Sequence, residues 1–160
     1  MDAIDGVLEE WRRERPDLDL SAMGVLGRLA RLTRRIEDEV EAVFARHGLR
    51  PGEFDVLAAL RRSGPPYMLI PSELAAVLMM SRAGMTNRID RLESAGLVSR
   101  TLDATDRRSF RVTLTHEGRR VIDATVTDHA ANLERLAKHL SADDAATLDR
   151  ITRTMLTSLG

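Results

Sequence analysis

The chain has 160 residues, of which 43% are apolar and 31% charged, and its formal net charge is −1. That length suits one domain with its own core, and the composition excludes the low-hydrophobicity, high-charge pattern of disordered chains. With no cysteine, a disulfide framework, a thiolate nucleophile and cysteine-ligated zinc are excluded, so any sensing has to use non-thiol chemistry.

The first twenty residues carry seven acids (Asp2, Asp5, Glu9, Glu10, Glu14, Asp17, Asp19) against three arginines. This is no basic-then-apolar leader, and no apolar run reaches the roughly 18 residues of a bilayer span, so a cytoplasmic protein without a membrane partner is expected. An amphipathic stretch through Ile4, Val7, Leu8 and Trp11 stops at Pro16. Ser21 then reads as the N-cap of a long helix with apolar residues at Met23, Leu26, Leu29, Leu32, Ile36, Val40 and Val43, ending at Gly48. Pro51 suits the first turn of the next helix, which buries Phe54, Leu57 and Leu60 and closes at Ser63-Gly64-Pro65-Pro66.

A short helix near Ser72–Met79, a break at Ser81 and a second helix near Arg82–Ala95, stopped by Gly96, describe a helix-turn-helix. The period then shortens: residues 97–102 and 110–115 read as two strands joined by the turn Asp103–Ser109, forming a hairpin. Helical spacing returns from His116 through Val121, Val126, Leu133, Leu136 and Leu140, and a last helix follows Ser141 through Leu148, Ile151 and Met155. The apolar stripes of the terminal helices exceed what a small winged domain can cover, so a two-fold homodimer joined through both chain ends is expected; folding of both ends back onto their own domain is the alternative.

Charge is unevenly placed. From Arg82 to Arg120 nine arginines face five acids, and Lys138 is the only lysine. Arginine's planar fork suits phosphates and guanine edges; a coding bias explains the arginine preference equally well.

Three pieces in this order carry a resemblance: Pro51-Gly52-Glu53-Phe54-Asp55-Val56-Leu57, then Met85-Thr86-Asn87-Arg88-Ile89-Asp90-Arg91-Leu92-Glu93 with Gly96-Leu97-Val98, then Asp103-Ala104-Thr105-Asp106-Arg107-Arg108 followed by Leu114-Thr115-His116-Glu117-Gly118. Over nearly its whole length the chain resembles the MarR family of bacterial regulators. The fold implied is mainly α with a small β-hairpin (α+β): one domain, residues 1–160, with a winged helix-turn-helix lobe at 51–115 and dimerisation helices at 1–48 and 116–160. The function implied is a DNA-binding transcriptional regulator, by family habit a repressor, acting as a homodimer on a pseudo-palindromic operator and released by a small ligand.

The N-terminal half of the second short helix is what enters a major groove about 12 Å wide. Arg82 and Asn87 are expected at base edges, and Ser81 and Thr86 at phosphates; a solvated helix face is the plainer reading. The resemblance puts Arg108 into the minor groove, supported by Asp106, with Arg107 towards phosphate and the two arginines able to exchange roles. A solvated hairpin tip is the alternative. The urate-responsive branch of the family resembles this chain at Trp11, Asp55, Arg88 and Arg100, which implies a site for urate or another aromatic anion: the indole stacks, two guanidiniums pair with the charge, and Asp55 acts as the switch. Phenolic acids are the next ligand class. Packing of Trp11, a structural Asp55–Arg88 ion pair and a phosphate contact for Arg100 remain open.

No HExxH, phosphate-cradling glycine loop or GxSxG elbow occurs, and His47, His116, His129 and His139 have no metal-ligand spacing. No catalytic residue, metal or cofactor is expected. A winged helix serving only protein contacts is the rival reading, since the overall charge is not basic.

Overall fold

The computed structural model describes residues 2–79, 81–102 and 110–159, with residues 82 and 83 as backbone only. The chain divides into two units, residues 1–40 and 41–160.

In the first unit, α1 (Ala3–Glu14) is started by Asp2, whose carboxylate accepts the N–H groups of Ile4 and Asp5 at 2.8 and 3.0 Å. Asp5 answers by accepting the Asp2 N–H at 2.6 Å, so the orphan donors of the first turn are satisfied reciprocally. The helix runs antiparallel to the first part of α2 (Ser21–Arg46), with Leu8 against Gly24 and Ile4 against Gly27. A Cβ on Gly24 would stand 3.1 Å from the Leu8 Cδ1, so the missing side chain is what lets the helices close. Arg28 fastens the pair by donating to Asp2 at 2.8 Å and pairing with Asp5, and its guanidinium holds the Asp2 carboxyl below the ordinary range.

One expectation is corrected here. Ser21 is the first helical residue of α2 rather than its N-cap, because the carboxylate of Asp19 takes the Ser21 N–H at 2.9 Å; a charged acceptor at the positive end of a helix dipole outcompetes a hydroxyl.

The second unit is built on α3 (Pro51–Arg62), α4 (Pro71–Val77), α5 (Arg82–Ser94) and α6 (His116–Ala137) around a small sheet. The last part of α2 ends in a Schellman closure: Gly48 takes φ +71°, and the Leu49 N–H reaches the Phe44 carbonyl at 3.0 Å. α5 ends the same way at Gly96, with the Leu97 N–H on the Leu92 carbonyl at 2.9 Å. Both following leucines, Leu49 and Leu97, are buried. The core consists of Val56, Leu57 and Leu60 from α3, Leu74 from α4, Met85, Ile89 and Leu92 from α5, Val112 from the sheet and Ile122 from α6.

The sheet has order β1-β3-β2 and is antiparallel throughout. β2 (Val98–Leu102) pairs with β3 (Phe110–Leu114) in the register Val98 opposite Leu114. The expected hairpin thus gains a third strand, β1 (Met68–Leu69), paired with Val112 and Thr113; two residues are too few to show a period. Thr115 caps α6 by accepting the Gly118 N–H at 2.9 Å and donates its own hydroxyl to the Gly96 carbonyl at 2.8 Å.

The last helix, α7 (Ala142–Leu159), starts with the Ser141 hydroxyl accepting the Asp144 N–H at 3.1 Å and buries no residue in the single chain. No helix among the described residues is long and apolar enough to cross a membrane.

Candidate nucleic-acid interface

α5 presents two unlike faces. Met85, Ile89 and Leu92 are buried against the core, while Thr86, Asn87 and Asp90 are exposed. The helix is started by Ser81, whose Oγ accepts the Gly84 N–H at 3.3 Å. Ser81 therefore stands at the N-terminus, with Thr86 and Asn87 about one and a half turns further along. Arg82 is the first helical residue, and its side chain is outside the description. Asp106, Arg107 and Arg108, with the rest of residues 103–109, lie outside the described residues. The flanking strands are described up to Leu102 and from Phe110.

Behind the exposed face, α5 is held to α3 by charge. The Glu53 side chain is only 9% exposed; its Oε1 accepts from Arg91 Nε at 2.7 Å and its Oε2 accepts the Arg50 N–H at 2.9 Å. Burial raises the Glu53 pKa, but Arg91 and the Arg50 N–H together hold it below the ordinary glutamate value. Three residues earlier on α5, Arg88 lies against the α3 backbone, its Nη1 at 3.5 Å from the Gly52 carbonyl. A Cβ on Gly52 would stand 2.2 Å from the Arg88 Cζ, so only glycine admits the guanidinium there. Asp55 lies at the surface, yet burial pushes its carboxyl above the ordinary range against the opposing charges of Arg88 and Arg62.

Asp55 and Arg88 are thus brought within electrostatic reach of each other. Arg100 is engaged elsewhere: it pairs with Asp90 and Glu93 of α5, its own N–H reaches Glu93 at 3.2 Å, and its guanidinium stands 5.1 Å from the Phe110 ring centre. It is a strut between α5 and the root of the hairpin. Trp11 belongs to the first unit, 44% exposed, where it lines a shallow recess of about 280 Å³ with Glu10 and Glu14. Those carboxylates do not attract an anion by themselves.

Sequence reasoning gave Glu53, Arg91, Asp90 and Glu93 no role. Their partners stand 38, 10 and 7 residues away across a helix–helix or helix–strand contact, where no spacing rule reaches.

A second recess, of about 680 Å³, opens between α3 and α6, lined by Phe54, Arg61, Arg62, Asp123, Thr127 and His129 among others. Phe44 and Phe54 stack at 4.0 Å, the His129 ring leans on both, and its buried Nδ1 has no hydrogen-bond partner among the described residues. The wall bears two guanidiniums, although Arg61 donates to Asp123 at 2.7 Å. No group of three or more metal-ligating side chains occurs among the described residues.

The family model of the MarR family matches residues 47–109, a stretch that begins just after α2 and takes in α3, β1, α4, α5 and β2. The chain is 38% identical over 141 residues to the HTH-type transcriptional regulator PecS of Dickeya dadantii (strain 3937), covering 88% of this chain and 85% of that relative. Among solved structures it superposes on AbsC, a MarR family transcriptional regulator from Streptomyces coelicolor, with a TM-score of 0.78 at 23% identity over 89% of this chain and 96% of AbsC. It also matches a mutant MarR from E. coli complexed with operator DNA, with a TM-score of 0.71 at 25% identity over 91% of this chain and 97% of that one. By its likeness to regulators along most of its length, the chain belongs to the MarR family of transcriptional regulators and is not an enzyme.

Proposed function

We propose that the protein is a ligand-responsive DNA-binding repressor that works in the cytoplasm as a homodimer on a pseudo-palindromic operator. The observation that carries this reading is the two-faced α5: a buried Met85–Ile89–Leu92 edge packs the helix on the core, while Ser81, Thr86 and Asn87 at its N-terminal half are exposed. The E. coli MarR bound to operator DNA supports the same use of the fold. Arg82 and Asn87 read base edges, Ser81 and Thr86 hold phosphates, Arg108 enters the minor groove with support from Asp106, and Arg107 faces phosphate.

The lobes at 1–48 and 116–160 join two copies. Met23, Leu26, Leu32 and Ile36 on α2 and Leu148, Ile151 and Leu156 on α7 all remain exposed in the single chain, and apolar stripes of this length are covered by a partner in a stable protein.

A flat anion such as urate is the effector, engaged by Arg88 and sensed by Asp55; Trp11 is a candidate stacking surface, and Arg100 a candidate contact that has to leave Asp90 and Glu93 first. Support comes from the Asp55–Arg88 coupling, because Arg88 belongs to the DNA-reading helix: an anion that engages Arg88 weakens its tie to Asp55 and shifts α5 to the extent that it prefers the shifted state.

Binding to a labelled duplex as salt rises from 50 to 200 mM tests the reading. A dimer on DNA weakens about tenfold or more across that range, while flat dependence favours a protein-interaction module. Addition of urate to the complex then releases the DNA, and in Arg88→Ala it does so weakly; a wild-type complex indifferent to urate and to phenolic acids discards the ligand assignment.

A further inference from the structure

We infer that Glu53 and Arg91 form the joint that sets the angle of α5 on α3, which makes both of them positioning residues for sequence-selective binding; the inference rests on the DNA-binding reading above. Glu53 is the third residue of α3, and each of its carboxylate oxygens has one short bond, to Arg91 Nε at 2.7 Å and to the Arg50 N–H at 2.9 Å. The second bond locks the carboxylate to the start of its own helix, so the first fixes a point of α5 relative to α3. Two further contacts between these helices are less directional or longer. Met85, Ile89 and Leu92 contribute non-directional packing, and the Arg88 contact to the Gly52 carbonyl is long at 3.5 Å.

Leverage makes the joint matter. Arg91 is nine residues beyond Arg82, so the base-reading end of α5 lies about 14 Å from it at the helical rise. A tilt of about 4° at the joint displaces that end by about 1 Å, enough to break the geometry of a hydrogen bond to a base edge. Phosphate contacts, made by long side chains along a uniform backbone, absorb the same displacement. Loss of the joint therefore lowers selectivity more than it lowers affinity for DNA in general.

Glu53→Gln keeps size and an acceptor for Arg50 but removes the charge, and Arg91→Gln removes the other partner. The probes are the duplex that the wild type selects from a random library and a scrambled duplex, compared by fluorescence anisotropy at one salt concentration. Each single variant is expected to lose about tenfold in the selected-to-scrambled affinity ratio, and the double variant no more than either single, as coupled neighbours do. Affinity for the scrambled duplex is expected to change by less than about twofold, as phosphate contacts dictate. Amide exchange in the first turn of α5 quickens in all three variants. An unchanged ratio in Glu53→Gln, or losses that add in the double variant, overturns the joint. Should the wild type show no selectivity, the DNA-binding reading falls, and exchange alone decides the joint: unaltered protection of α5 in both single variants overturns it.

Discussion

Two carboxylates on the same turn of α3, Glu53 and Asp55, separated by one residue, have opposite electrostatic fates. Glu53 is buried but bonded at both oxygens, and its pKa is lowered. Its stabilisation is complete above the ordinary glutamate range and disappears as pH falls through the lower folded value. Asp55 has its pKa raised by burial, so its contribution favours the fold at low pH and disappears as pH rises through the raised value; at neutral pH its charge is a small burden. Thermal melts at neutral pH are expected to show Glu53→Gln destabilised by about 1.5–3 kcal/mol, the range for a hydrogen bond to a charged group. Asp55→Asn is expected to be neutral or more stable, by no more than about 0.5 kcal/mol for a surface group. A destabilised Asp55→Asn would mean that the Arg88 attraction, not burial, dominates that carboxyl. The residue types at these positions were legible in the sequence, but their opposite environments were not, since burial of Glu53 depends on α5 crossing α3.

Boundaries of elements were legible wherever a residue has a single conformational use. Gly48 and Gly96 end helices in the left-handed region and Pro51 starts one, whereas Thr115, read as the last residue of the second strand, caps α6 instead. The start of α2 was misread because Asp19 and Ser21 are both competent caps, and β1 was missed because a two-residue strand is created by its partner β3 rather than by its own pattern. Two glycines separate packing from adjustable contact. A Cβ on Gly118 would stand 1.9 Å from the Leu97 carbonyl oxygen, which is fixed by the Thr115 N–H at 3.1 Å. Gly118→Ala is therefore expected to cost about 1–3 kcal/mol in a denaturant melt, the usual range for overpacking. In Gly52→Ala the three nearest atoms to the new Cβ all belong to the far end of the flexible Arg88 side chain; it is expected to change stability far less, to within about 0.5 kcal/mol, while shifting the ligand response because the guanidinium is displaced.

At the scale of the molecule, most of the buried core comes from α3, α4, α5 and β3, with Ile122 of α6, whereas α7 buries nothing in the single chain and leaves Leu156 72% exposed. Assembly through such helices predicts that Ile151→Glu converts the protein from two chains to one in sedimentation velocity; retention of a two-chain species in the variant would place the interface elsewhere. The order of helix, turn, helix and hairpin was legible because each period is distinct, and the exposed stripes were legible as candidates for a partner. The groove-reading geometry itself is tested most directly by hydroxyl-radical footprinting of the wild type on the duplex it selects. Two protected half-sites, with centres about 34–36 Å apart along the duplex, are expected for paired α5 helices one turn apart. A footprint limited to one half-site at saturating protein, or no footprint, would contradict the account.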